Sequence, residues 1–365
     1  APSSLEPPAC SRSSCSSTEM AAQEAILKRC AAVIRSADAL LICTGAGMGV
    51  DSGLGTFRGR NAGVWPPLKA FDLDFSEMSS PSWFANDERL GWSFWHFRHQ
   101  AYVNGTPHKG YDILAKWGTQ MKHGLFSATS NIDGHWARTE GVGEERVYEC
   151  HGSVTYMQCV KDTGRIWRTD PAEIAKMTVP AWDLEPGEQV EVIAGAVRAA
   201  PSSSDAWIPA IVGADGCGIE SKEGKKLAVR AVRRPGQTTD LTRVDEGSTL
   251  PKCAETGGRA RPNVLMFGDF GVNCARIDAM EQRFQTWTAS LPPDARLVVV
   301  EVGAGLAVPT IRYLSESTTT QFRNGTLLRL NLDDSEVPES LGERAISVGG
   351  LGALEALSKI DALLP

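Results

Sequence analysis

The sequence predicts an α/β protein built on a doubly wound parallel sheet. Short runs of mainly apolar residues recur along the chain, as expected for strands that are buried on both faces of a parallel sheet. Helical patterns lie between these runs, and such alternation is typical of a doubly wound sheet. The predicted strands are Ala39–Cys43, Leu125–Thr129, Leu297–Val302 and Leu327–Leu332.

The helices are predicted from apolar residues that recur at helical spacing and give each helix one apolar face. The first ordered segment begins near Ser17. Ala275–Ser290 carries Ile277, Met280, Phe284 and Trp287 on one face. Two further helices are predicted at Val308–Ser315 and at about Leu351–Leu363.

Three stretches depart from this alternation of strands and helices. Residues 1–18 are rich in Ser and Pro and predict a disordered tail. Residues 60–120 are rich in tryptophan and predict a helical cap beside the sheet. Residues 183–247 predict an inserted small β-barrel, which leaves 19–182 and 248–365 as the parent domain.

The insert is predicted from its own composition. Short β-like runs alternate there with turns rich in Gly, Pro and Ser. A β module of this kind could dock a protein partner. The runs are Gln189–Ile193, Trp207–Val212 and Lys226–Val232.

Composition narrows the classes of partner and compartment. The formal net charge of −7 argues against a nucleic-acid-binding protein, which needs a basic surface. No apolar run has the length of a membrane-spanning helix. The nine cysteines lack the spacing of a secreted disulfide framework, which favours a reducing compartment such as the cytoplasm or nucleus. Cys43 and Cys150 are expected to be buried thiols, and the Ser-rich N-terminus is also compatible with import into an organelle.

A glycine-rich turn follows the first predicted strand. In Gly45-Ala46-Gly47-Met48-Gly49, the missing side chains let the backbone approach a pyrophosphate near a helix N-terminus. Taken alone, the pattern is as typical of a tight connection as of a phosphate site.

Polar residues follow two later strands. Asn131 and Asp133 come directly after Leu125–Thr129, and their alternation lets both side chains point at one carboxamide. His151 follows the apolar segment that includes Val147. Ligands of α/β sheets bind at the carboxyl ends of the strands, so these residues are expected to share one site.

In chain order, these motifs resemble the sirtuin family of NAD-dependent protein deacylases. The resemblance covers about residues 20–182 and 248–363. It implies a Rossmann-like NAD-binding domain with a smaller helical and zinc-ribbon module at 151–182 and 248–262. The motifs are Gly45-Ala46-Gly47, Ser52-Gly53, Phe57-Arg58-Gly59, Asn131-Ile132-Asp133, Glu149-Cys150-His151-Gly152-Ser153, Arg261–Asp269, Val302–Pro309 and Leu330-Asn331-Leu332.

The resemblance also implies roles for single residues. His151 would be the general base for a ribose hydroxyl, a step that suits an imidazole with a pKa near working pH. Asn131 and Asp133 would bind the nicotinamide amide. An acylated lysine on a protein would pair with Phe267, Gly268 and Asp269. The remaining NAD contacts would come from Gly45, Ala46, Gly47, Phe57, Arg58, Ser130, Gly303, Ala304, Gly305, Asn331 and Leu332.

Several positions depart from the family pattern. Thr56 stands where an acidic residue is usual, and Ser130 where glutamine is usual. Ala304-Gly305 replaces a Thr-Ser pair and removes two hydroxyl donors. These changes leave two alternatives to a deacylase: a weakly catalytic NAD- or ADP-ribose-binding or structural subunit, and a protein ADP-ribosyltransferase.

The zinc ribbon departs further. Sirtuins usually carry two cysteine pairs, and a closed zinc site needs four ligands. Here Cys159 and Cys253 remain, while their expected partners fall near Thr163 and at Thr256. We therefore expect no structural zinc and a vestigial ribbon with two surviving thiols.

His96 and His99 lie one turn apart on a predicted helix. Without carboxylate support, such a pair is a poor metal site, and we expect both rings to face solvent.

Overall fold

The structure is a computed structural model. It describes residues 17–56, 75–161, 164–179, 181–186, 205–209, 227–232 and 242–365. The predicted tail up to residue 16, the predicted NAD contacts Phe57 and Arg58, Thr163, and the run Gln189–Ile193 lie outside the described residues.

The regular elements follow the predicted alternation. The helices are α1 (Ser17–Ser36), α2 (Phe75–Met78), α3 (Ser82–Asn86), α4 (Glu88–Asn104), α5 (Lys109–Thr119), α6 (Pro171–Ala175), α7 (Ala275–Ser290), α8 (Thr310–Gln321) and α9 (Ala353–Asp361). The strands are β1 (Ala39–Thr44), β2 (Leu125–Thr129), β3 (Val147–Glu149), β4 (Gly152–Cys159), β5 (Ile166–Arg168), β6 (Ala181–Pro186), β7 (Asp205–Pro209), β8 (Leu227–Val232), β9 (Ala260–Val264), β10 (Leu297–Val302), β11 (Thr326–Asn331) and β12 (Ala345–Gly349).

A six-stranded parallel sheet forms the centre of the larger lobe. Its strand order is β12-β11-β10-β1-β2-β3, so the chain builds outward in both directions from the β1–β10 pair. The prediction of a doubly wound α/β fold is confirmed. In such a sheet, a crevice opens at the carboxyl ends of the two strands where the order reverses.

The apolar runs are continuous because both faces of the sheet are covered. Leu40 and Ile42 pack in one core with α1, α5 and α9. Leu41 and Cys43 pack in a second core with α7 and α8. Since successive strand side chains point to opposite faces, every residue of β1 must be apolar or small, and all six are buried.

A smaller lobe has a separate core. The antiparallel sheet β5-β4-β9 packs there with α3, α4 and α6 around Phe84, Trp92 and Trp95. The predicted cap at residues 60–120 is therefore only partly correct. Helix α5 belongs to the main sheet instead, because Tyr111, Leu114 and Trp117 pack against it in the first core.

The two histidines of α4 are not exposed. His96 is 8% and His99 is 3% exposed, so the prediction that they face solvent is wrong. Helix α4 carries aromatic residues on most of its circumference and is enclosed by the smaller lobe, which leaves it no solvent face at these positions. Cys43 and Cys150 are buried as predicted.

Within the predicted insert, the structure describes three strands. They form an antiparallel sheet in the order β6-β8-β7. Strands β7 and β8 fall on the predicted runs Trp207–Val212 and Lys226–Val232. Strand β6 begins at Ala181, two residues before the predicted boundary, and closure into a barrel stays a prediction.

Cys159 and Cys253 form a disulfide. The expectation of two vestigial free thiols is therefore wrong. Cys159 ends β4, which pairs with β9, and the Cys253 amide donates to the Gly258 carbonyl in the turn before β9. Antiparallel pairing of these segments brings together two cysteines that are 94 residues apart, which their spacing could not reveal.

No helix in the described ranges combines the length and the apolar content that crossing a bilayer requires.

Candidate functional site

Two glycine loops meet at the crevice between β1 and β10. Gly47 donates its amide to the Gly303 carbonyl over 3.0 Å. Gly303 has a φ of 62°, and a Cβ added there would lie 2.5 Å from the Gly47 Cα. Glycine is thus required for both the backbone conformation and the close approach. The two loops form one wall of exposed main chain, as a pyrophosphate site requires.

The side chains of Arg312 and Asn331 donate hydrogen bonds to the second glycine loop, which contains Gly303 and Ala304. The Arg312 guanidinium donates to the Ala304 carbonyl over 3.2 Å and to the Asp334 carbonyl over 2.7 Å. The Asn331 amide donates to the same Ala304 oxygen over 2.9 Å. The loop's main chain is therefore fixed before any ligand arrives.

A cleft along these loops consists of two adjoining pockets. We call them the glycine pocket, which both glycine loops line, and the histidine pocket, which contains His151. Ala46, Ser130 and Val308 line both, so the pockets are continuous. Of the residues predicted to contact NAD, the glycine pocket is lined by Gly45, Ala46, Gly47, Ser130, Gly303, Ala304, Gly305, Asn331 and Leu332.

Asn131 and Asp133 both line the histidine pocket, as their alternation predicted. The Asn131 amide donates to the Gly45 carbonyl over 3.0 Å, which ties the strand end to the first loop. Asp133 is 5% exposed and accepts from the His135 amide over 2.8 Å. Burial raises the pKa of Asp133 to about 6, which makes this carboxyl a poised donor or acceptor near neutral pH.

His151 occupies the turn between β3 and β4. Gly152 follows it with a φ of 76°, and a Cβ there would meet the Asn263 carbonyl oxygen at 2.2 Å. The turn therefore needs glycine to let β4 pair with β9. Burial lowers the pKa of His151, while a hydrogen bond to the backbone of Ser130 acts in the opposite direction. The ring is thus neutral at physiological pH and able to accept a proton.

The His151 ring also contacts a residue that sequence reasoning missed. Its Nε2 lies 3.2 Å from the Thr310 Oγ1, at the start of α8. These residues are 159 positions apart, and nothing in the local pattern around Thr310 marks it. The contact exists because β3 and β10 end at the same edge of the sheet.

A buried ion pair supports the same turn. The Arg276 Nη2 lies 2.6 Å from the Glu149 Oε2, and the guanidinium lies 3.9 Å from the centre of the Tyr156 ring. Burial raises the pKa of Glu149, and Arg276 opposes that shift. Glu149 therefore anchors the strand that carries His151 rather than facing the cleft.

The segment after β9 forms the outer rim of the histidine pocket. The Leu265 amide donates to the His151 carbonyl over 2.9 Å, and Phe267 is 43% exposed. Gly268 turns the chain with a φ of 66°. Asp269 points inward, with its carboxylate 2.7 Å from the Arg261 Nη2, so its side chain is unavailable to a protein substrate.

The ribbon residues do not fit a zinc ion. Cys159 and Cys253 are consumed by their disulfide, and the Thr256 hydroxyl accepts from the Gly258 amide. No group of three potential metal ligands occurs among the described residues.

The cleft does fit a dinucleotide. It offers a long channel with a bare main-chain wall at one end and the polar groups of Asn131, Asp133 and His151 at the other. The carboxylates of Asp333 and Asp334, next to Asn331, supply acceptors suited to ribose hydroxyls at the far end.

Known proteins share these features. A family model described as the Sir2 family matches residues 45–287, which is more than half of the chain. An NAD-dependent protein deacylase of Deinococcus radiodurans is 30% identical over 129 residues, covering 35% of this chain and 50% of that protein. The chain thus matches about half the length of this curated relative.

Solved structures agree on the fold. A mutant Sir2 homologue in complex with ADP-ribose superposes with a TM-score of 0.53 at 17% identity, covering 92% of this chain and 95% of that one. The structure of Sir2Tm bound to a propionylated peptide superposes with a TM-score of 0.52 at 15% identity, covering 92% and 96%. Together with the family match and the site described above, this likeness shows that the chain belongs to the Sir2 family, the sirtuins.

Proposed function

We propose that this protein is an NAD-dependent protein lysine deacylase that releases nicotinamide and forms acyl-ADP-ribose. The observation that carries the proposal is the position of His151, a neutral imidazole that lines the histidine pocket together with Asn131 and Asp133. The name of the Deinococcus relative, an NAD-dependent protein deacylase, supports the same reaction.

Bound NAD would supply a ribose: nicotinamide would leave one of its carbons, and the acyl group would pass to a hydroxyl group elsewhere on the same ribose. Gly45, Ala46 and Gly47 would line its diphosphate at the sheet edge. The amides of the two glycines donate to the Val302 and Gly303 carbonyls, and their missing side chains would let the ligand approach the main chain closely. Asn331 would meet the adenosine ribose. Asn131 and Asp133 would hold the carboxamide, with Asp133 able to donate or accept because its pKa is raised to about 6.

His151 would act as the general base. Its lowered pKa keeps the ring unprotonated at neutral pH, which a base needs before it can take a proton. The hydrogen bond to the Ser130 backbone fixes the orientation of the ring. Proton removal from a ribose hydroxyl would then be fast only above the pKa of His151.

The apolar walls of the histidine pocket would exclude water and receive the acylated lysine. Leu54, Phe75, Met266 and Phe267 line it, and Phe75 and Phe267 stack edge to face with ring centres 6.2 Å apart. An extended peptide could run along the exposed rim at Leu265 and Phe267, whose side chains are 41% and 43% exposed.

The test is nicotinamide release from NAD, with and without acylated lysine peptides, by wild-type protein and His151→Ala. We expect peptide-dependent release that falls about a hundred- to ten-thousand-fold in the variant. His123→Ala is the matched control, because His123 lies outside both pockets. Calorimetry with ADP-ribose should show that His151→Ala still binds the ligand.

Two results would contradict the proposal. One is wild-type protein that binds ADP-ribose but releases no nicotinamide with any acyl peptide, as a binding subunit would. The other is release that is coupled to ADP-ribose transfer onto protein without loss of the acyl group.

A further inference from the structure

The hydroxyl of Thr310 lies beside the ring nitrogen that His151 would use as a base. Thr310 Oγ1 lies 3.2 Å from His151 Nε2, within hydrogen-bonding range. A hydrogen bond that raises the pKa of an imidazole is one that the ring N–H donates, since it stabilises the protonated ring. The bond to the Ser130 backbone is of this kind.

One tautomer of the neutral ring satisfies both contacts. A neutral imidazole has one N–H and one lone pair. If the N–H is committed to the Ser130 backbone, the lone pair is on Nε2, and the Thr310 hydroxyl donates to it. A proton that reaches Nε2 must then displace this hydroxyl or pass through it.

Displacement is disfavoured because Thr310 is held in place. It begins α8, whose first turn is formed by the hydrogen bond from the Tyr313 amide to the Pro309 carbonyl over 3.0 Å. Two residues later, Arg312 ties the helix to the Ala304 and Asp334 carbonyls. The β-branched side chain of Thr310 also has few rotamers.

The other charged groups near His151 do not compete for Nε2. Glu149 is paired with Arg276, and Asp133 accepts from the His135 amide. Arg98 lines the histidine pocket and lies over the Phe75 ring at 4.7 Å. Thr310 lines neither pocket, but it is exposed and lies two residues after Val308, which lines both.

We propose that Thr310 is a proton relay between His151 and the cleft. Its hydroxyl passes its proton to Nε2 while taking one from a ribose hydroxyl. Two O–H bonds break, one O–H and one N–H bond form, and no atom is oxidised or reduced. This inference rests on the proposed function, because that reaction supplies the ribose hydroxyl.

The test compares Thr310→Val, which removes the hydroxyl but keeps the shape, with Thr310→Ser, which keeps the hydroxyl. Thr320→Val is the control, because Thr320 is an exposed threonine of the same helix whose hydroxyl bonds only to the Glu316 carbonyl among the described residues. We expect Thr310→Val to lower kcat for NAD-dependent deacylation by about ten- to a hundred-fold, with ADP-ribose affinity unchanged. Thr310→Ser should stay within a few-fold of wild type.

A second readout uses the protein without any ligand. In ¹⁵N NMR titrations, Thr310→Val should shift the Nε2 resonance of His151 and lower its pKa. On protonation the Thr310 hydroxyl turns and accepts a charge-assisted bond from Nε2–H, which is stronger than the bond it donates to the neutral ring. Thr310→Ser and Thr320→Val should titrate like wild type.

The relay is overturned if Thr310→Val matches or exceeds wild-type kcat, or if Thr310→Ser is as slow as Thr310→Val. An unchanged His151 titration in Thr310→Val overturns it as well. Failure of the proposed function is a different result, since it would appear as a wild-type protein that releases no nicotinamide.

Discussion

Arg261 and Asp269 form an ion pair with 2.7 Å between Nη2 and Oδ2, and their side chains are 2% and 0% exposed. The pair closes the turn that carries Leu265 and Phe267 along the rim of the histidine pocket. Asp269 also accepts from the Gly271 amide over 2.9 Å. Asp269, which the resemblance assigns to substrate binding, is thus paired with Arg261 inside the rim of the histidine pocket and supports that rim.

Asp269→Asn should destabilise the protein strongly. Removing one partner leaves Arg261 buried without a counter-charge, which costs about 3–5 kcal/mol. Urea unfolding at neutral pH measures the loss. Glu24→Gln is the control, because the Glu24–Lys28 pair is exposed and its loss should change stability far less. Equal effects of the two substitutions would show that the buried pair is not a brace.

Asp133→Asn and Asn131→Ala should weaken nicotinamide exchange more than ADP-ribose binding. Both side chains line the histidine pocket, while the diphosphate would lie against the glycine pocket. Exchange of labelled nicotinamide and calorimetry with ADP-ribose separate the two effects. Leu332→Ala, at the far end of the glycine pocket, is the reciprocal control and should affect ADP-ribose binding alone. Parallel losses of both ligands in Asp133→Asn would contradict this division of the cleft.

Breaking the Cys159–Cys253 disulfide should lower the melting temperature. A cross-link that closes a long loop stabilises by about 2–5 kcal/mol, and this loop spans 94 residues. Cys159→Ser, Cys253→Ser and the reduced wild type should melt alike and below the oxidised protein. Cys274→Ser is the control, since Cys274 is an exposed free thiol.

Elemental analysis should find no stoichiometric zinc. One zinc per chain, with Cys159 and Cys253 present as reduced thiols, would contradict this prediction.

The buried His99 should make the protein less stable at acidic pH. In unfolded chains histidine titrates near pH 6.5, whereas burial lowers the pKa of His99 to about 4. Between these values the unfolded chain binds a proton that the folded protein does not, so stability falls as pH falls from 6.5. At pH 5 the loss from this residue is about 2 kcal/mol.

His99→Gln should therefore flatten the fall of unfolding free energy between pH 7 and pH 5. Burial lowers the pKa of His135 to about 3, and this residue adds a loss of the same sign. The raised pKa of Asp133 acts in the opposite direction, since its folded form binds a proton more readily below about pH 6. Because both terms are common to wild type and variant, the difference between the two isolates His99. Identical slopes would contradict the prediction, because they would mean that His99 has the same pKa in the folded protein and in the unfolded chain.

Local pattern determined the main sheet and much of the cleft. Continuous apolar runs arise only where both faces of a strand are buried, so β1, β2, β10 and helix α7 could be placed within a residue. The glycine loops, Asn131, Asp133 and His151 follow strands directly, and the carboxyl ends of parallel strands share one edge. Short-range order along the chain was therefore enough to assemble these residues into a single site.

Only the tertiary structure decided what depends on contacts between distant segments. The Thr310–His151 contact, the Arg261–Asp269 pair and the Cys159–Cys253 bond join residues whose positions are set by strand pairing and helix packing. The burial of His96 and His99 depends on a second layer that encloses α4. The residues next to a side chain in sequence do not indicate which distant residues it will contact. Packing depends on three-dimensional proximity, whereas periodicity shows only which face of an element is covered.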